Sequence, residues 1–185
     1  MTTTSNRPQA VLSRQLIMDA LLRLMERCDF QKITINQICQ EAGVARQTFY
    51  RHFKDRQEVL EQHLVHLAIQ YRNMKTPSAT DMVGNLITLY KEPPFSRSLL
   101  QLLMKHDLFY MLERSCMKAA LVILPTTRTG PLLSMEKYDR YHVGFTASTY
   151  CCILRLWVEG GCTETPEELT ALSIAFFSGT TALPK

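Results

Sequence analysis

From Gln9 to Thr76 the chain contains no proline and only one glycine, Gly43. Proline removes an amide donor and clashes with the preceding helical turn, while glycine ends helices by adopting left-handed backbone geometry without strain. A run this long with a single internal breaker reads as helices meeting at one tight turn. The apolar residues agree. Ile17, Ala20, Leu21, Leu24 and Cys28 recur at helical spacing, and so do Ile35, Ile38, Cys39 and Ala42.

The punctuation refines this. Ser13 is placed to cap a first helix, and Asp29-Phe30-Gln31-Lys32 makes a short link. Thr34-Ile-Asn-Gln37 is a capping-box pattern that opens a second helix, which Gly43 closes, with Val44 as an apolar plug. A third helix from Ala45 to about Phe53 places Ala45, Phe49 and Phe53 on one face. Asp55-Arg-Gln-Glu58 is a second capping box, opening a fourth helix through Val59, Leu60, Leu64, Leu67, Ala68 and Tyr71. Two short helices across a glycine turn, braced by a helix before them, read as helix-turn-helix.

Beyond Lys75 the pattern loosens. Thr76-Pro77-Ser78 reads as a linker, followed by helical stretches over about Thr80–Lys91, Phe95–Lys105 and Leu108–Leu124, broken at Pro93-Pro94 and His106-Asp107. Pro125 to Ser134 is the longest loop candidate. A long helix from about Met135 to Glu159 stops at Gly160-Gly161, and Thr165-Pro166-Glu167-Glu168 opens the last one. The expected fold is all-α, with residues 1–12 as a flexible N-terminal arm, 13–75 as a head that includes a connecting helix, and 76–185 as a helical body. With 7 glycines and 8 prolines in 185 residues, a turn-rich sandwich or barrel is disfavoured.

Other classes fall away on composition and motif. The most apolar run, Val143–Val158, is shorter than the ~20 residues of a membrane span and contains Arg155. Met1–Ala10 lacks the apolar stretch of a secretory leader. The six cysteines form no C-x-x-C pair, so no metal site and no disulfide framework is expected, and the adjacent Cys151 and Cys152 suit reduced thiols in a cytosolic compartment. Neither G-x-S-x-G, H-E-x-x-H, a Walker loop nor the Rossmann glycines appear, so no enzyme activity and no cofactor are expected.

Charge is unevenly spread. Residues 1–75 hold 11 of the 21 Lys and Arg but only 7 of the 17 Asp and Glu, so the formal excess of +4 lies entirely there. Arg46, Arg51, Lys54 and Arg56 cluster with one acid, Asp55. A basic patch of this kind suits a polyanion, because each neutralised phosphate releases counterions. On the third helix the positions opposite Phe49 and Phe53 are Arg46, Gln47, Thr48 and Tyr50, with His52 and Lys54 beyond. Arg forks onto guanine O6 and N7, and Gln pairs with adenine N6 and N7. Hydroxyls and lysine suit phosphate oxygens. Thr34 sets a hydroxyl and free amide groups at a helix N-terminus, where phosphate is favoured.

The stretch Thr34-Ile-Asn-Gln-Ile-Cys-Gln-Glu-Ala-Gly-Val-Ala-Arg-Gln-Thr-Phe-Tyr-Arg-His-Phe-Lys-Asp-Arg closely resembles the DNA-binding signature of TetR/AcrR-family transcriptional regulators. The resemblance spans about Ser13 to Tyr71. It implies an all-α homodimer with a three-helix DNA-binding head and a larger body for effector binding and dimerisation. Carried over residue by residue, it puts phosphate contacts on Thr34, Thr48, Tyr50, His52 and Lys54, and base reading on Arg46 and Gln47. One departure is Ala45, where the family often has Ser or Thr; alanine offers neither a side-chain cap nor a phosphate contact.

The resemblance further implies that the last two helices form a four-helix bundle between two subunits, and that a small-molecule effector binds among the body helices. Met82, Met104, Met111, Met117, Phe95, Phe109 and Tyr110 are able to line such a cavity, and His106, Asp107 and His142 to hold an effector, but no individual contact is assigned. The function expected is a ligand-responsive repressor, cytoplasmic and off the membrane, that binds double-stranded palindromic DNA as a homodimer. The alternative is a protein-binding co-regulator of the same fold that does not bind DNA on its own.

Overall fold

The computed structural model describes residues 6–74, 95–127 and 136–178. These form eight α-helices and one 3-10 turn, with no strand among the described residues. Two compact units arise, Met1–His63 and Leu64–Lys185. The division falls inside the fourth helix, before the linker that the sequence suggests at residues 76–78.

In the first unit, α1 (Asn6–Arg27) is followed by the 3-10 turn Phe30–Lys32, then α2 (Ile35–Ala42), α3 (Arg46–His52) and the start of α4 (Arg56–Met74). Helix α1 packs on both α2 and α3, which pack on each other. The core they share is the set with helical spacing: Ile17, Ala20, Leu21 and Leu24 from α1, Ile38, Cys39 and Ala42 from α2, Phe49 from α3, with Phe53 beyond it and Val59 and Leu60 from α4. Ile35 and Cys28 are only half-buried, at the edge of the same stripe.

One helix start differs from expectation. Helix α1 begins at Asn6, so residues 6–12 are helical rather than an arm. Ser13 caps nothing: its hydroxyl donates to the Gln9 carbonyl, 2.8 Å away, inside the helix. Pro8 falls in the first turn, where its missing amide has no helical partner to lose.

The other boundaries follow the sequence. Gln37 N donates to Thr34 Oγ1 (3.2 Å) and Thr34 N to Gln37 Oε1 (2.8 Å), which completes the capping box of α2. Gly43 lies at φ 66°, ψ 32°, and Val44 N reaches back to the Cys39 carbonyl (3.0 Å), closing the helix through a left-handed residue. The Asp55 box is shifted: Glu58 N donates to Asp55 Oδ1 (2.8 Å), but Glu58 reaches back to the amide of Lys54. Arg56 fastens α4 to the link after α1. Its guanidinium donates to the Ile33 carbonyl and to Gln31 Oε1, both at 3.2 Å, and lies over the Phe30 ring.

In the second unit, α5 (Arg97–Lys105), α6 (Phe109–Thr127) and α7 (Glu136–Glu159) pack together, and α8 (Pro166–Ser178) follows. The expected helix over Thr80–Lys91 and its neighbour Met82 lie outside the described residues, as does the side chain of His142. Ser96 caps α5, whose C-cap is His106, and Asp107 just beyond is in left-handed geometry (φ 56°). Helix α6 runs past Pro125 to Thr127, three residues beyond its expected end; residues 128–134 of the expected loop lie outside the description. Helices α6 and α7 are antiparallel. Glu113 accepts from Ser148, and a Cβ on Gly144 would meet Met117, so moving four residues up one helix moves four down the other.

Helix α7 stops at Gly160-Gly161, with Gly161 at φ 82°. Thr165 and Glu168 complete the expected capping box of α8: Glu168 N to Thr165 Oγ1 is 3.2 Å and Thr165 N to Glu168 Oε2 is 2.7 Å. Between them Trp157 donates to the Glu164 carbonyl (3.0 Å), tying the end of α7 to the start of α8. No described helix is long and apolar enough to cross a membrane.

Candidate nucleic-acid interface

Helix α3 has two faces with opposite properties. Phe49 is fully buried and Phe53, just after the helix, nearly so; their rings lie 5.9 Å apart in the head core. This pair fixes the rotation of a helix only seven residues long. Such a helix is too short to be stable alone, so packing against α1 and α2 holds it. Arg46, Gln47 and Tyr50 are exposed, with Lys54 exposed beyond the helix.

Tyr50 is half exposed, although its ring edge packs against Phe49 at 5.6 Å. Arg46 folds along it: Nη2 donates to the Tyr50 hydroxyl at 3.4 Å and the guanidinium lies 5.9 Å from the ring centroid. The hydrogen bond to Tyr50 and the phenol's charge when ionised raise the Arg46 pKa, so its charge is permanent. The long, poorly constraining contact leaves four other guanidinium donors available. Thr48 is half-buried on the flank.

Three positions come out differently from what their residue types suggest. The Thr34 hydroxyl is already engaged, accepting from Gln37 N and donating to Gln37 Oε1 at 2.8 Å. It is able to offer its proton elsewhere only by giving up the second bond. His52 is half-buried with Nε2 enclosed and without a hydrogen-bond partner. Burial, then the charges of Arg51 and Arg14, lower its pKa, so the ring is neutral at pH 7. Arg56, counted in the basic cluster by sequence, spends its guanidinium on the Ile33 carbonyl and Gln31. The exposed cations of this surface are therefore Arg46, Arg51 and Lys54.

Sequence reading did not single out Arg14. Its guanidinium lies over the Phe53 ring at 5.9 Å and donates to Gln62 Oε1, so α1 braces the end of α3 from behind. Nothing local signals this, because the partners are about forty residues away in the chain. Ala45 is the N-cap of α3 and makes no side-chain cap bond, as its methyl group requires.

Among the body residues considered for an effector cavity, Phe95, Phe109 and Met111 are buried, Met104, Met117 and His106 are half-buried, and Asp107 is exposed. Tyr110 is 55% exposed.

A glycine-closed pair of helices, braced behind and bearing permanent cations and amide side chains in front, defines a helix-turn-helix protein carrying a separate helical body. Residues 17–62 match the family model described as bacterial regulatory proteins, tetR family. The match covers the helix-turn-helix head and not the body. No curated protein matches it in sequence. Among solved structures it is similar to Lin0861 from Listeria innocua, with a TM-score of 0.69 at 16% identity over 97% of this chain and 95% of that one. It is also similar to DhaS, described as the dihydroxyacetone kinase operon activator, with a TM-score of 0.51 at 17% identity over 95% and 99% of the two chains. At such identities the likeness is one of fold.

Proposed function

We propose that this protein is a regulator of the tetR family and a ligand-responsive repressor, cytoplasmic, that binds a palindromic operator as a homodimer. The observation that carries the reading is the surface of α3 and the residue just beyond it, where Arg46, Gln47, Tyr50 and Lys54 are exposed while Phe49 and Phe53 are buried. In this reading Arg46 and Gln47 meet base edges in the major groove, while Thr48, Tyr50 and Lys54 meet phosphates. Thr34 contributes through its hydroxyl and the amides at the start of α2, whereas His52, with its Nε2 enclosed, is left out of the contacts. A dimer follows from the reach of one head, which covers a single half-site; two-fold symmetry sets two heads on grooves ~34–36 Å apart or a multiple of that.

The body supports the dimer separately. Tyr141, Phe145, Cys152 and Leu156 are exposed on α7 and recur at i, i+4, i+11 and i+15, one continuous stripe. The exposed apolar members are large, and an uncovered apolar stripe of this kind marks an association surface. The effector is an unidentified small molecule held among the body helices, and it and DNA favour different states of the dimer. The sign of regulation is not carried by the fold, since DhaS is described as an activator. A promoter-reporter assay with the gene deleted separates the two: expression rises for a repressor and falls for an activator.

The direct test is a gel-shift titration on operator selected from random DNA. Arg46→Ala is expected to weaken specific binding roughly ten- to hundredfold and relax one base preference. Lys54→Ala is expected to weaken all sequences alike and lower the salt slope by about one. If both variants match the wild type, the docking is wrong. The same titration with purified protein alone tests the co-regulator reading, under which no DNA is bound without a partner protein; the exposed cations and amide on α3 favour DNA.

A further inference from the structure

The segment that joins α3 to α4 is residues 53–55, and each of the three is held in a different way. Phe53 is held by its buried ring, and Asp55 by accepting the Glu58 amide at 2.8 Å. Lys54 has an exposed side chain, so its anchor is its backbone amide, which donates to Glu58 Oε2 at 2.8 Å. A cap for α4 needs no more than this, yet the polar chain continues. Gln62, one turn further along α4, donates from Nε2 to Glu58 Oε1 at 3.0 Å and accepts at Oε1 from Arg14 Nη2 on α1. Arg14 in turn lies over the ring of Phe53. The contacts therefore close into a circuit through Lys54, Glu58, Gln62, Arg14 and Phe53.

The residue types suit their places. A guanidinium only donates and a carboxylate only accepts, so a neutral group between them has to do both. The Gln62 amide does, with its oxygen toward Arg14 and its nitrogen toward Glu58. Both Glu58 oxygens are then occupied, one by Gln62 and one by the Lys54 amide, which fixes the carboxylate. Every hydrogen bond in the chain has one charged partner, the stronger kind.

We propose, on the DNA-contacting reading of α3 given above, that Arg14, Gln62 and Glu58 are positioning residues for DNA binding. They lock the backbone at Lys54, where the chain leaves α3, so that the ammonium group meets its phosphate from a fixed base. A released Lys54 has to be ordered again on binding, and that lost freedom lowers affinity. Gln62 has no charge, so its contribution comes from holding its neighbours and not from attraction to phosphate.

The test is a gel-shift titration of the full chain on selected operator over a range of salt, with melting temperatures to show that each variant is folded. Gln62→Met keeps side-chain length, helix preference and net charge while removing both links. Specific affinity is expected to fall roughly three- to tenfold, the range of a net hydrogen-bond contribution. Lys54→Ala, which lowers the salt slope by about one in the wild type, is expected to lower it by clearly less when added to Gln62→Met. Gln62→Glu also weakens binding, because two carboxylates then face each other. Adding Glu58→Gln to it is expected to restore wild-type affinity. The amide at position 58 then accepts from the Lys54 amide and donates to the carboxylate at 62, which accepts from Arg14, and net charge is unchanged from the wild type. A folded Gln62→Met protein with wild-type affinity and the full Lys54 slope would overturn the proposal and leave the circuit a structural clamp. An exchange of the two residues that fails to restore binding would overturn it as well. If the wild type itself binds no DNA, the reading of α3 falls and positioning falls with it; if the wild type binds and the variants match it, positioning alone falls.

Discussion

The head and the body bury their apolar residues to different degrees. From Ile17 to His63, all of it described, the one large apolar or aromatic side chain left exposed is Tyr50, on the face argued to meet DNA. In the body, Tyr110, Tyr141, Phe145 and Leu156 are all exposed, the last three along one side of α7. From Ile17 on, the head closes its core within a single chain, while Val11, Leu12 and Leu16 earlier on α1 stay exposed. The body leaves a stripe of α7 open, the surface that the proposed dimer would cover.

The largest test removes the feature that makes the head complete. Phe49→Ala empties a fully buried position between α1, α2 and α3 and is expected to cost about 3–5 kcal/mol, comparable to the whole stability of a small domain. Denaturant unfolding of the variant should show an early transition, and DNA binding should be lost. Phe145→Ala, also a phenylalanine truncation, removes a ring that is 61% exposed. Its cost to the folded subunit should stay within about 0.5 kcal/mol, while the dissociation constant of the dimer rises roughly ten- to hundredfold. Sedimentation equilibrium over a concentration series reads the second effect. A Phe145→Ala protein that dimerises like the wild type would remove α7 from the interface.

A smaller effect isolates the turn. Gly43 lies at φ 66°, and a Cβ there would meet nothing within 4 Å. The Gly43→Ala penalty is therefore purely that of holding an L-residue in left-handed geometry, about 1–2 kcal/mol. Thermal unfolding should show that loss, with DNA affinity of the folded protein little changed because α2 and α3 keep their relative placement. A much larger loss would mean that the turn makes contacts beyond its backbone.

These positions also show how far sequence reading reaches. Gly43, the Thr34 and Thr165 boxes and the Gly160-Gly161 stop were legible because each is a local pattern with one structural solution. The outward face of α3 was legible for the same reason: once Phe49 and Phe53 face inward, helical geometry fixes the rest. What stayed hidden depends on partners distant in the chain. Arg56 looks like a free cation until Ile33 and Gln31 occupy it, and His52 looks like a surface donor until its Nε2 is enclosed. Breaker rules also overreached. Ser13 did not start α1, because nothing in residues 6–12 forbids helix, and Pro125 did not stop α6, because a last turn survives the loss of one amide bond. No local pattern marks an effector cavity, since methionines and aromatics at helical spacing serve a core equally well.

The smallest effect separates surface charge from packing as the source of the head's completeness. Glu41 on α2 accepts from Arg23 Nε (2.9 Å) and Arg27 Nη2 (2.7 Å) on α1. The hydrogen bond from Arg23, then that from Arg27, holds its carboxyl below the ordinary value of 4.5. A carboxylate with a lowered folded pKa stabilises fully above its unfolded pKa and progressively loses that contribution as pH falls through the folded value. The head's melting temperature should therefore decline below about pH 4.5 in the wild type, and less steeply in Glu41→Gln, whose neutral amide has no proton to gain. Both arginines are about half exposed, so the difference between the two proteins should be small at pH 7 and shrink further in high salt. If Glu41→Gln instead destabilised the head strongly at pH 7 and independently of salt, the α1–α2 contact would rest on this ion pair rather than on Ile17, Leu21 and Ile38 beneath it, and the head would be closed by its charges.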